Sequence, residues 1–189
     1  MAAWLYHAGV TANQITIAAC VVSVALGMGA LWNPEHSYYF LLISIWCLLR
    51  MAANALDGML AREFGQASRL GAVLNELGDV ISDIALYLPF AFVAGSHAWL
   101  VAMVVFLAVG SEFAGWLGTA MHNNRANHGP MGKSDRALVF GIIGLLIGCG
   151  VSVAPFINHL WLAIAFLLIL TLFNRGRHIL AARNTGNTP

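Results

Sequence analysis

Six long apolar runs dominate this chain, at residues 15–32, 38–56, 70–92, 98–121, 137–156 and 157–173, and they leave it little choice of environment. About 20 apolar residues wound as an α-helix match the hydrocarbon core of a bilayer. Backbone in that layer must satisfy its own hydrogen bonds, which for such runs means helix. Six spans would take up roughly two-thirds of the 189 residues, leaving no room for a separate extramembrane domain. The composition agrees: 60% of the residues are hydrophobic, 9% are charged and the mean hydropathy is +0.78, which excludes an ordinary soluble domain. The expected fold is all-α, an integral membrane bundle of six transmembrane helices. It would form one domain over 1–189, with a short interfacial segment at 1–12 and a polar tail at 175–189.

The few charges then decide orientation. Connections 33–37, 95–97 and the turn expected near 154–159 carry no Lys or Arg. Arg50, Arg62 and Arg69 flank the second connection, Arg125, Lys133 and Arg136 fall in or beside the fourth, and Arg175, Arg177 and Arg183 follow the last run. Alternating spans put all nine on one face, which the positive-inside rule makes cytoplasmic, together with both termini. Trp4 and Tyr6 suit an interfacial segment on that face. The segment before the first run lacks a basic start, so the run is expected to be a retained helix and not a secretory leader. A net charge of +1 gives no basis for a nucleic-acid surface. Cys20, Cys47 and Cys149 lack the paired spacings of a zinc or redox site and are expected to be packing residues.

Polar residues gather on the second and third runs. Arg50, Asn54, Asp57, Gly58, Ala61 and Arg62 recur at offsets of three and four and share one helix face. Gly71, Asn75, Asp79 and Asp83 step by four on the next helix, a column of oxygen-bearing side chains that opens at a glycine with room for a ligand. Acids in hydrocarbon are costly and need a reason. One is a buried network pairing them with Arg50, Arg62 or Arg69. Another is a cytoplasm-facing cavity where carboxylate and amide oxygens hold a hard divalent cation and, through it, phosphates. Small residues at Gly58, Ala61 and Gly71 would admit a nucleotide, and Arg62 and Ser68 would donate to its phosphates.

The stretch 54–79 resembles the signature of the CDP-alcohol phosphotransferases, D-x2-D-G-x2-A-R-x8-G-x3-D-x3-D. It stands here as Asn54, Asp57-Gly58, Ala61-Arg62, Gly71, Asn75 and Asp79, every spacing matched, with Asn at the first and third Asp positions. Asn13-Gln14-Ile15-Thr16 looks like the family's N-x-I-T element near the nucleotide. The resemblance implies a six-helix membrane enzyme of phospholipid synthesis that binds a CDP-alcohol, CDP-diacylglycerol being the expected donor, and transfers its substituted phosphate to an alcohol acceptor with release of CMP. By position, Asn54, Asp57, Asn75 and Asp79 would be metal ligands for one or two Mg2+ or Mn2+ ions, and Asp79 also the general base. Asn13, Thr16, Gly58, Ala61, Arg62, Ser68 and Gly71 would bind the donor. The Asn positions leave two negative charges where the pattern has four; Asp83, one turn beyond Asp79, is a candidate to restore one.

Lys133 and Arg136 are candidates to grip an anionic acceptor, or else mark topology against anionic lipid headgroups. The Gly-Lys-Ser beside them is not a P-loop, since Asn127 stands where glycine is needed. Glu112 is a buried acid expected either to act in the site or to pair with a cation on a neighbouring helix. The histidines read as interfacial. Gly141, Gly144, Gly148 and Gly150 suggest close helix packing, with a homodimer face as one outcome. The rival readings are a homologue that has lost its metals and serves as a lipid- or nucleotide-binding membrane protein and, more weakly, a small transporter.

Overall fold

The computed structural model describes residues 1–122 and 128–182, and these are all-helical, without a strand. Arg125, Asn127 and Arg183 lie outside the described residues. The helices are α1 (Ala2–His7), α2 (Ala12–Trp32), α3 (Tyr38–Glu63), α4 (Arg69–Tyr87), α5 (Ala98–His122), α6 (Lys133–Gly148) and α7 (Ile157–Ala182). Four of them, α2, α3, α5 and α7, are long and apolar enough to cross a bilayer. The other two expected spans differ for separate reasons. Within its 19 residues α4 contains Arg69, Glu76, Asp79 and Asp83, and α6 is 16 residues long.

Local chemistry explains where the helices stop. Thr11 caps α2 by a reciprocal pair, its hydroxyl accepting from the Gln14 N–H while the Gln14 side chain accepts from the Thr11 N–H. Bonding of the α type in α4 ends at Tyr87, ahead of Pro89, whose nitrogen has no hydrogen to donate, and a 3-10 turn follows over Leu88–Phe92. Gly150, at φ +79°, closes α6 in the left-handed conformation, with the Val151 N–H donating to Leu146 O at 2.9 Å. The connection between the last two helices is therefore 149–156, earlier than the 154–159 expected from hydropathy, and His159 lies inside α7. Two helices also outrun their apolar segments. α3 continues past 56 to Glu63, and α7 continues to Ala182, so the expected polar tail is helical over 175–182.

The chain divides into two compact units, Met1–Pro89 with Ala137–Val151, and Phe90–Arg136 with Ser152–Pro189. In the first, α2 is the shared wall. It runs antiparallel to α3, with Trp46 Nε1 donating to Ser23 Oγ at 2.9 Å at one end and Thr16 meeting Asp57 at the other. It runs parallel to α4, whose backbone at Ala85 comes so close that a Cβ on Gly27 would collide with the Ala85 carbonyl. The α6 part of this unit packs on α3 through small residues. Ser44 Oγ donates to Gly141 O at 2.5 Å, and a Cβ on Gly148 would sit 2.8 Å from the Leu41 nitrogen. The glycine pattern of α6 thus serves packing inside the chain at Gly141 and Gly148.

In the second unit α5 and α7 run parallel. Asn158 ties the start of α7 to the turn before α5, accepting from the His97 N–H at 2.9 Å and donating to Gly95 O at 2.8 Å. Trp161, fully buried, packs edge-on against Phe90 and donates to Ser96 Oγ at 2.9 Å. At the far end of the pair the Met131 N–H donates to Thr171 Oγ1 at 3.0 Å.

Candidate active site

The motif residues collect in the first unit, on the facing ends of α2, α3 and α4. Asp57 is buried on α3 and accepts from Thr16 Oγ1 at 2.8 Å, so the N-x-I-T element meets the motif through a side-chain hydrogen bond. Thr16 reaches Asp57 because α2 starts beside the α3–α4 connection. There the Ala12 N–H, which has no partner within its own helix, donates to Gln66 Oε1 at 2.7 Å. Gln66 has no place in the motif and does not stand out in the sequence; the only hint is its position in the connection that the motif spans.

Small residues at the site make room for neighbours of the same chain. A Cβ on Gly71 would lie 2.6 Å from Asn13 Oδ1 and 3.0 Å from Ser68 Oγ, so the space expected to await a ligand is filled by the Asn13 carboxamide and the Ser68 hydroxyl. Ser68 caps α4, its Oγ accepting from the Gly71 N–H at 2.9 Å. Gly58 similarly clears space for Arg62, which folds back along α3, donating from Nε to Gly58 O at 3.1 Å while Nη2 lies 3.2 Å from where a Gly58 Cβ would be. Ala61 is packed against the apolar cluster of Ala2, Ala12 and Leu60, so its small side chain fits α1 and α2 against α3. The Arg62 guanidinium is exposed and available to an anion.

Asp79 and Asp83 are 6% and 4% exposed on α4, and both meet Arg50 of α3, itself 3% exposed. Arg50 Nη1 donates to Asp83 Oδ1 at 2.6 Å; Nη2 donates to Asp79 Oδ1 at 3.2 Å and to Asp79 O at 3.0 Å. The pairing network weighed from sequence is therefore present, with Arg50 among its members. Arg62 instead lies back over Gly58. Asn54 and Asn75 are half-buried, one turn before Asp57 and Asp79 respectively. Among the described residues no three His, Cys, Asp or Glu side chains converge as a metal-binding group.

The remaining candidates belong to the second unit. Lys133 opens α6 and is half-buried. Arg136 is fully buried, donating from Nη2 to Glu112 Oε1 at 2.9 Å and from Nη1 to Ser111 Oγ at 3.1 Å. Arg175, which sequence placed in a polar tail, is 3% exposed, donates to Ser111 O and lies 3.9 Å from Glu112. Glu112 thus has cationic neighbours from two other helices, the second outcome expected for it.

Known proteins fit this arrangement. The profile of the CDP-alcohol phosphatidyltransferase family matches residues 9–173. The chain is 49% identical over 177 residues to the inner membrane protein YnbA of Escherichia coli (strain K12), covering 94% of this chain and 88% of that one. It is 27% identical over 161 residues to the phosphatidylinositol phosphate synthase of Mycolicibacterium smegmatis, covering 82% and 68%. In fold it resembles the crystal structure of Mycobacterium tuberculosis phosphatidylinositol phosphate synthase in complex with manganese and citrate, with a TM-score of 0.76, 21% identity, and coverage of 94% of this chain and 86% of that one. A profile match from the start of α2 into α7, together with the spacing that sets Asp57 against Thr16 and Asp79 against Arg50, establishes that the chain belongs to the CDP-alcohol phosphatidyltransferase family.

Proposed function

We propose that this protein is a phosphatidyltransferase of phospholipid synthesis, moving the substituted phosphate of CDP-diacylglycerol to an alcohol and releasing CMP. The observation that carries the reading is Asp79: a buried carboxylate at the motif's last position, held from a second helix by Arg50 at 3.2 Å. Such a group would accept the proton of an attacking hydroxyl as that oxygen bonds to the donor's β-phosphorus and the bond to CMP breaks. The exposed guanidinium of Arg62 would bind the donor's phosphates. Ser68 and Asn13, packed against Gly71, would shape the nucleotide end, and Thr16 would hold Asp57.

The donor chemistry at the motif positions fits a hard divalent cation. Asn54, Asp57, Asn75 and Asp79 would each ligate through oxygen, two as carboxylates and two as amide carbonyls, which suits Mg2+ or Mn2+ at less than the affinity of four carboxylates. The complex of the M. tuberculosis synthase with manganese supports this choice. Bound there, the cation would supply charge neutralisation at the pyrophosphate.

Lys133 is the proposed grip on an anionic acceptor. Arg136 would share that role only while keeping Glu112 and Ser111 as partners. The synthases among the relatives make a phosphorylated polyol the first acceptor to try. The charge asymmetry of the connections supports six spans, cytoplasmic termini and a single membrane domain over 1–189, and the YnbA match supports a bacterial inner membrane. One observation favours a second reading: Arg50 engages both Asp79 and Asp83, as it would in a family member that has kept the fold and binds lipid without turnover.

Purified protein in detergent micelles, given CDP-diacylglycerol, Mg2+ or Mn2+ and single acceptors, decides between the two. CMP that appears with one acceptor and vanishes in Asp79→Asn establishes the enzyme. Donor binding without CMP under every condition establishes the lipid-binding protein.

A further inference from the structure

We infer that Gln66 is a positioning residue for the donor: its carboxamide fixes where α2 begins relative to the α3–α4 connection, and through Asn13 this governs how tightly the CDP-alcohol is held. The inference rests on the functional reading above. The connection joins the two halves of the motif, running from Arg62 in the last turn of α3 to Ser68, the cap of α4. Gly65, at φ +67°, turns the chain in the left-handed conformation directly after Phe64, the C-cap of α3. Gln66 comes next, half-buried, with Oε1 accepting from the Ala12 N–H at 2.7 Å. A backbone N–H can only donate, so the oxygen end of the carboxamide is committed to α2. The rest of this contact is apolar, Ala12 packing against Leu60 and Phe64, and such packing has no direction of its own. The Gln66 bond is directional and sets the register of α2 against the connection. Asn13 follows Ala12 directly, and its Oδ1 lies 2.6 Å from where a Cβ on Gly71 would be, so a small slide of α2 changes what borders Gly71 and Ser68. Asp79 is held separately, by Arg50 of α3, so the chemical step does not depend on this bond. Thr11 supplies the contrast. It caps the same end of α2, but its hydrogen bonds with Gln14 stay within that helix end.

The test uses the full chain in detergent micelles, with the Kd for CDP-diacylglycerol read by titration calorimetry and kcat by CMP release. Gln66→Met keeps the length of the side chain and removes the acceptor. Ala12→Pro removes the donor from the other side of the same bond: proline suits the first position of a helix, and Thr11 before it is already extended at φ −98°, ψ 154°. Each should raise the donor Kd about tenfold, with kcat and acceptor KM within about threefold of the parent. Because both remove one bond, the double variant should be no more than about threefold weaker than either. Thr11→Ala should leave the donor Kd within about twofold. An unchanged Kd in Gln66→Met, additive losses in the double variant, an equal loss in Thr11→Ala, or a fall in kcat larger than the rise in Kd each overturns the inference and leaves the functional reading standing. A parent that binds the donor without releasing CMP overturns the enzyme reading, and the same Kd comparison still decides the role of Gln66. A parent that binds no donor overturns both.

Discussion

Among the described residues, two buried acid–arginine clusters, one in each unit, pair their charges in different ways. In the first, one guanidinium, Arg50, meets two carboxylates, Asp79 and Asp83. In the second, one carboxylate, Glu112, meets two guanidiniums, Arg136 at 2.9 Å and Arg175 at 3.9 Å. Both lie within predominantly apolar helices, where an isolated charge is costly and a paired one is tolerated. The difference teaches what each is suited to. Carboxylates of α4 bridged by one guanidinium suit a proton acceptor, whereas guanidiniums that donate to Ser111 and Glu112 suit tying Arg136 and Arg175 to α5.

If that contrast is right, removing a carboxylate from the first cluster should stop chemistry, and removing the one in the second should melt the protein. Asp79→Asn should lower CMP release by about 100- to 10,000-fold, the range for a lost general base. Its thermal unfolding in detergent should change far less than that of the second variant. Glu112→Gln should cost about 3–5 kcal/mol of stability, since it takes a negative charge from two buried guanidiniums. A folded, active Glu112→Gln protein with a raised acceptor KM would instead move that cluster into the acceptor site. Thr16→Val takes the donor from Asp57 and should cost about 1–2 kcal/mol, seen as a loss of up to roughly tenfold in Mn2+ affinity or turnover. The smallest effect belongs to Asn75→Asp, which should lower the Mg2+ concentration for half-maximal activity a few-fold by adding a carboxylate ligand. An unchanged or raised requirement would remove Asn75 from the ligand set.

Hydropathy located the helices but misjudged their ends. It does not register Gly150, whose left-handed backbone ends α6 early, or the continuation of α7 through Arg175, which packing buries despite its charge. The motif points to α3 and α4 from spacing alone, and both of its carboxylates, Asp57 and Asp79, lie on buried faces of those helices. Its small residues were harder to interpret. A glycine makes room, but only packing shows for what, and at Gly58 and Gly71 the occupants are Arg62 and Asn13 of the same chain.

The apolar runs, the clustering of basic residues and the spaced signature from Asn54 to Asp79 were settled by sequence alone, because they depend on local periodicity and residue type. The partners of the buried charges were decided only by tertiary structure. Arg50 could have faced any of several acids, and Glu112 any of several cations. Which pairs form depends on how helices distant in sequence cross, and that is set by close approaches such as Gly27 on Ala85 and Gly148 on Leu41, which no local pattern records.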